Sequence, residues 1–170
     1  MSSIRADLRA IATTLSQVDK WLTKAESYAA AKSFDPTVLL SSRLAPDQFP
    51  LLKQIQVACD WVKNGHARLA QQTPPAHATQ EQTIPELKAR IASVLSYVAT
   101  FGDDAFAGAE TRLITSTRTP GKGALGSDYL RETILRNFYF HATTAYAILR
   151  HNGVDLGKAD FIGQVTLHDL

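Results

Sequence analysis

Apolar residues recur along the first part of the chain at alternating spacings of three and four, the period of a helix with one buried face. The pattern predicts a long amphipathic helix over about residues 3–31. Its apolar face carries Ile4, Leu8, Ile11, Leu15, Val18, Leu22 and Ala25. Asp35 and Pro36 follow in the order of an N-cap and a first helical residue, which predicts a short helical turn.

Two further segments have the same period. Asp47 is the predicted N-cap of the second long helix, with Pro50 in its first turn, and the two prolines of QQTPPAHATQEQ end that helix. Thr83 and Glu86 have the spacing of a capping box, which predicts the start of the third helix. The apolar faces carry Leu52, Ile55, Cys59, Val62, His66 and Leu69 in the second helix, and Ile84, Leu87, Ile91, Val94, Val98 and Phe101 in the third.

A long connection over residues 102–126 precedes the fourth helix. Its β-branched residues and glycines favour a short β-hairpin, with the turn around Thr119–Gly123. Ser127 or Asp128 is the predicted cap of the fourth helix, which ends at the Asn-Gly pair 152–153. Its stripe is Leu130, Ile134, Phe138, His141, Ala145 and Ile148. Four such helices predict an all-α fold, an antiparallel four-helix bundle with long connections.

Composition narrows the class of protein. The 170 residues predict a single domain over 1–170, and the formal net charge of +2, with no run of basic residues, disfavours nucleic-acid binding. A lone cysteine, Cys59, cannot form an internal disulfide, and MSSIRADLRA carries charges where a signal peptide would be apolar. No apolar stretch approaches the ~18 residues of a membrane span. We therefore expect a cytoplasmic protein that does not bind membranes.

The fourth helix carries the most informative polar residues. His141 occupies a stripe otherwise formed by aliphatic and aromatic residues, so it should face the core, and Asn137 lies four residues earlier on the same face. A buried imidazole needs partners for both nitrogens. One interpretation is a core histidine satisfied by a carbonyl or a tyrosine hydroxyl, and the other is a histidine that holds a ligand, water or metal.

The segment N137-F-Y-F-H141, followed by R150-H-N-G153, resembles the fourth helix of the DinB/YfiT-like proteins. That superfamily has a His-x-x-x-His pair followed by Arg-x-x-Gly, so His141 takes the place of its second histidine and Asn137 replaces the first. The resemblance implies a metal site whose third ligand comes from the second helix.

At that third position this chain offers Gln54, or Gln56 if the alignment shifts by two residues. Two of the three implied ligands are therefore amides, which bind Zn²⁺ or Ni²⁺ weakly. The segments RLAPDQFPLLKQIQVACD and NFYFHATTAYAILRHNGV also resemble a subgroup of these proteins that has no assigned activity.

Other side chains near this cluster have ordinary structural interpretations. Asp60 lies one residue off the second stripe, where a carboxylate pairs with Arg or Lys, and His66 is expected to be a partly exposed histidine that complements the helix dipole. A tight divalent-metal site would need Asp60 or His66 as an additional ligand. Tyr139 and Tyr146 share a helix face, and one of them could bring its hydroxyl into the central cavity. Cys59 is expected to be a buried, inert thiol.

Three functions are open. The first is a non-catalytic or small-molecule-binding protein without a cofactor, in which Gln54, Asn137 and His141 form a hydrogen-bonded cluster. The second, implied by the resemblance, is a divalent-metal-dependent thiol transferase or isomerase with Zn²⁺, Ni²⁺ or Mn²⁺ at His141. The third is a homodimeric structural module, for which Leu135 and Leu149, apolar residues off the main stripe, leave room for an interface.

Overall fold

The computed structural model describes residues 3–115 and 120–165, apart from the side chains of Ser3 and Asp103. The predicted turn residue Thr119 lies outside these ranges. The helices are α1 (Ser3–Lys32), α2 (Thr37–Leu40), α3 (Leu51–Leu69), α4 (Ile84–Val98), α5 (Gly126–Asp128), α6 (Arg136–His151) and α7 (Lys158–Ile162). A 3₁₀ turn spans Asp103–Phe106, and a π-helical segment, Tyr129–Leu135, connects α5 to α6 without a break.

The mostly helical fold with a short hairpin is confirmed. Strands β1 (Leu113–Thr115) and β2 (Gly123–Leu125) pair antiparallel, with Ile114 opposite Ala124. Helix α3 packs against both α4 and α6, and α1 contacts all three of these helices. The core therefore lies between the four long helices.

The predicted apolar stripes form this core. All seven stripe residues of α1 are at most 1% exposed, and the predicted stripes of α4 and α6 are also buried. In α3 the stripe begins one residue earlier than predicted, because Leu51 is fully buried whereas Leu52 is only partly so. Leu149 is completely buried and Leu135 packs against the core, so these residues do not form the free apolar surface expected of them.

The helix starts confirm one predicted capping signal and contradict another. The capping box is confirmed: the Thr83 hydroxyl accepts a hydrogen bond from the Glu86 amide, and the Glu86 carboxylate accepts one from the Thr83 amide at 2.9 Å. The prediction that Asp47 caps α3 is wrong. Pro50 has an extended backbone, with ψ of 164°, and is itself the residue that precedes the helix.

The fourth long helix also starts differently. Neither Ser127 nor Asp128 is its cap, since α5 begins at Gly126. Backbone carbonyls supply the capping there: the Gly126 amide donates to Arg112 at 2.8 Å, and the Ser127 amide donates to Glu110 at 3.1 Å. A side chain on Gly126 would collide with the Ala109 carbonyl, so a glycine is needed at this close approach.

The C-terminal helix α7 was not predicted, and it packs against α1. The Trp21 indole donates to the Asp160 carbonyl at 2.9 Å and stacks on Phe161. Within the described ranges, none of the helices has the length and apolarity that a membrane crossing requires.

Candidate ligand-binding cleft

A cleft of about 880 Å³ lies between α3 and the helical stretch that runs from the π-helical segment into α6. Phe49, just before α3, and the β-hairpin complete its wall. Its lining residues are Phe49, Lys53, Val57, Asp60, Trp61, Asn64, Arg68, Ile114, Lys122, Gly123, Ala124, Tyr129, Thr133, Asn137 and His141.

Helix periodicity explains this lining. Residues spaced by three or four lie on one face, and the cleft-facing residues of both walls have this spacing. A contact at each end shows that the two walls run in opposite directions. His141 meets Gln54 near the start of α3, and Arg68, near its end, donates to the Tyr129 hydroxyl at 2.9 Å.

His141 is held in one tautomer by Gln54. The Gln54 amide nitrogen donates to the Phe49 carbonyl at 3.0 Å, so its oxygen is directed at His141 Nδ1, 2.7 Å away. Nδ1 must therefore carry the proton, and Nε2 keeps its lone pair. Burial lowers the pKa of His141, which keeps the ring neutral near pH 7. Nε2 has no hydrogen-bond partner among residues 3–115 and 120–165.

Asn137 lies in the same cleft but has a local partner. Its amide nitrogen donates to the Thr133 carbonyl at 2.8 Å, at the junction between the π-helical and α-helical turns. The structure thus brings Gln54 and His141 into direct contact, whereas Asn137 stabilises the backbone beside them. Gln56 instead donates to Glu81 at 2.8 Å, in the loop before α4, so Gln54 is the glutamine that meets His141.

Asp60 lines the cleft, but its carboxylate is already engaged. One oxygen lies 2.8 Å from Arg90 and 3.2 Å from Lys63, the kind of pairing expected from its position beside the stripe.

His66 is not at the cleft. It is 5% exposed, donates from Nδ1 to the Val62 carbonyl at 2.7 Å, and packs against Phe101 and Phe106. The expectation of a partly exposed ring is wrong because these two phenylalanines cover it. Burial lowers the pKa of His66 to about 4.

The remaining candidates also lie elsewhere. Tyr146 packs its ring against Trp21 and Phe161, and its hydroxyl donates to the Leu156 carbonyl at 3.4 Å. Tyr139 is 36% exposed and is not a lining residue of the cleft. Cys59 is fully buried, which raises the pKa of its thiol to about 12 and makes it unreactive.

Several lining residues were not predicted from the sequence as site residues. Lys53, Trp61 and Arg68 follow the polar side of α3 at helical spacing, a signal that was available but resembles an ordinary solvated face. Lys122 reaches the cleft from the hairpin, and only the folded arrangement reveals it.

The donor set does not fit the divalent metal that the resemblance implies. The described part of the chain has no group of three or more His, Cys, Asp and Glu side chains placed to hold an ion. Of the three implied positions, two are amides, and the Gln54 oxygen is already bonded to His141. Neutral amides with one imidazole make a weak first coordination shell.

Comparison with known proteins agrees with this description of the fold. A family model for a domain of unknown function, DUF1993, matches residues 5–162. A solved structure of a DinB family member protein from Shewanella denitrificans is 41% identical; the similarity covers 99% of this chain and 100% of that one, with a TM-score of 0.93. No curated protein matches the chain. The resemblance is confirmed, and the chain belongs to the DUF1993 family, which is DinB-like and of unknown function.

Proposed function

We propose that this protein binds a small organic molecule in the cleft between α3 and α6, without catalysis, and that its scaffold is an antiparallel four-helix bundle. The observation that carries the proposal is the combination of an 880 Å³ cleft with a fixed, neutral imidazole whose Nε2 lacks a protein partner among the described residues. Small-molecule sites have volumes of roughly 300–1,000 Å³ and combine apolar walls with a few oriented polar groups.

His141 would accept a hydrogen bond from the ligand. Its Nδ1 proton is committed to Gln54, so Nε2 can only accept as long as the ring is neutral. The Phe49 ring, which lines the cleft, lies nearly parallel to the imidazole with its centroid 6.5 Å away. Apolar surface and one oriented acceptor at this end would suit a ligand with a hydroxyl or N–H group on an apolar body.

A neutral fluorescent probe tests the proposal. Phenylnaphthylamine, whose emission rises in apolar surroundings, is expected to bind the wild-type protein saturably with one site per chain. Asn64 lines the α3 wall one helical turn before Arg68, so Asn64→Phe narrows the cleft there and should weaken binding by about tenfold or more. Asn64→Ala leaves the cleft open and should bind as the wild type does. Equal binding by both variants would contradict the proposal.

The metal-dependent thiol transferase or isomerase is the competing function. Our proposal predicts that untagged protein, incubated with Zn²⁺, Ni²⁺ or Mn²⁺ and then desalted, retains less than about a tenth of an equivalent by plasma mass spectrometry. Retention of one equivalent, lost in His141→Ala, would instead favour the enzyme.

Homodimerisation stays a prediction. Phe140, 56% exposed beside His141, is a better candidate for a contact between two copies than the buried Leu149. The mass in solution, measured by light scattering, tests it.

A further inference from the structure

The charged residues of the cleft are mostly cationic. Lys53, Arg68 and Lys122 line it, against one acidic residue, Asp60. The Asp60 carboxylate is already neutralised by Arg90 at 2.8 Å and Lys63 at 3.2 Å, and neither of those cations belongs to the lining. None of the three lining cations has a carboxylate partner among residues 3–115 and 120–165. The cleft therefore has a surplus of positive charge.

Two of these cations lie on different walls of the cleft, Arg68 near the end of α3 and Lys122 on the hairpin. Arg68 is fifteen residues beyond Lys53, or about 22 Å along a helix, so the two cannot hold the same small group. The base of the hairpin is attached beside Arg68, because Arg112 donates to the Leu69 carbonyl at 2.6 Å and its own carbonyl accepts from Gly126. Lys122 precedes β2 on the turn side of the same hairpin and enters the cleft from there.

The Arg68 guanidinium is oriented within this end of the cleft. One of its nitrogens donates to the Tyr129 hydroxyl at 2.9 Å, and Tyr129 is only 7% exposed. A guanidinium held on a buried tyrosine keeps its other N–H groups for a ligand, and it loses less side-chain freedom on binding than a free arginine does. Apolar surface from Val57 and Trp61 separates this end from His141.

We propose that the ligand is an amphipathic organic anion, with a carboxylate, sulfate or phosphate group between Arg68 and Lys122 and an apolar body along Val57 and Trp61. This inference rests on the proposed function, since it names the class of molecule that the same cleft binds. The elongated shape matches a molecule whose far end reaches His141.

A matched pair of probes tests the inference. Anilinonaphthalene sulfonate has the ring system of phenylnaphthylamine plus one sulfonate. We expect it to bind the wild-type protein about five- to tenfold more tightly than the neutral probe at low salt, and to lose that advantage at ~0.5 M salt, where exposed charges are screened.

Two variants locate the anion. Arg68→Gln and Lys122→Gln should each weaken sulfonate binding several-fold more than they weaken binding of the neutral probe. Lys20→Gln, which removes an exposed cation of α1 outside the cleft, should change neither. Cooperative thermal unfolding of each variant checks that the dye reports a folded protein. Lys122 lies on the exposed hairpin, so its variant remains informative if Arg68→Gln fails to fold.

The outcomes separate the two proposals. Binding of both probes with equal affinity, and no selective effect of the two variants, would overturn the anion and leave the small-molecule cleft intact. Binding of neither probe would overturn the cleft, and the anion with it.

Discussion

Helix α3 has polar residues on two sides, and the two sides differ in how those residues are satisfied. Toward α4, Arg90 is 1% exposed in its side chain and contacts Asp60 and Glu81, each at 2.8 Å, as well as the Ala78 carbonyl. Toward α6, His141 Nε2 and the lining cations face open space. One side is a closed network, and the other is a cleft.

The closed network also holds the proline-rich loop in place. Lys63 donates to His77 Nδ1 at 3.1 Å, and His77 in turn bonds Ser93 at 3.0 Å. Of the three Arg90 guanidinium nitrogens, only Nε has no partner among the described residues. Polar groups that satisfy one another stabilise the fold, whereas oriented polar groups that face a cavity are available to a ligand.

The largest effect should follow from breaking the network. Arg90→Met leaves two carboxylates without their buried cation, and we expect a loss of about 3–5 kcal/mol in the free energy of unfolding. Urea denaturation measures it. The control is Arg150→Met. It removes the exposed ion pair between Arg150 and Asp155, whose charged atoms are 3.9 Å apart, and should cause no measurable change. Equal effects of the two substitutions would mean that the network adds no more than a surface pair.

The second effect concerns His66, the histidine buried under Phe101 and Phe106. His66 has a pKa of about 4 in the folded protein, against 6.5 for the free side chain, so the unfolded chain takes up its proton first as the pH falls. Its stabilising contribution is complete above pH 6.5 and declines between pH 6.5 and 4, by up to about 3 kcal/mol.

His66→Gln removes this titration and should flatten the pH dependence of stability over that range. Part of the slope that remains belongs to His141 and His77, whose pKa values burial also lowers. Near pH 4 carboxylates add to it, such as Glu86, whose pKa is lowered by the hydrogen bonds it accepts from the Gln82 and Thr83 amides. His151→Gln, a substitution at an exposed histidine, serves as the control for losing one histidine. Chemical denaturation at several pH values measures the slope, and an unchanged slope in His66→Gln would show that another group controls acid stability.

The smallest effect lies in the cleft itself. Gln54→Leu leaves the His141 Nδ1 proton without its acceptor, which should cost about 1–3 kcal/mol. His141→Gln should cost less, because the new amide can still donate to Gln54. Gln164→Leu, at an exposed position, controls for the exchange of an amide for an apolar group. If Gln54→Leu were as stable as this control, the hydrogen bond between Gln54 and His141 would not fix the tautomer.

The sequence predicted the helices better than the site. Stripes at helical spacing identify the core because burial requires one apolar face, and the capping box of Thr83 and Glu86 depends on local geometry alone. The start of α3 was mispredicted because Asp47 is a residue type that often caps helices. The backbone is still extended at Pro50, so the helix begins only at Leu51. His66 was mispredicted because Phe101 and Phe106, which cover it, approach from the 3₁₀ turn region after α4.

The positions of the lining cations Arg68 and Lys122 could not be predicted for a similar reason. Arg68 near a helix C-terminus is an ordinary partner for the helix dipole, and Lys122 lies in a glycine-rich connection. Only the hairpin, attached to the end of α3, brings these two charges to one cavity. The contact between Gln54 and His141, by contrast, follows from aligning the fourth helix with the DinB-like pattern.

The two tryptophans allow the most direct test of the ligand-binding cleft. Trp61 lines the cleft, whereas Trp21 is fully buried against α7 with its indole bonded to Asp160. Their indole N–H signals can be followed by heteronuclear NMR while phenylnaphthylamine is added, and Trp61→Phe assigns them. We predict that the Trp61 signal shifts saturably and the Trp21 signal stays in place. A titration in which the Trp61 signal does not move, or in which Trp21 alone responds, would contradict the account.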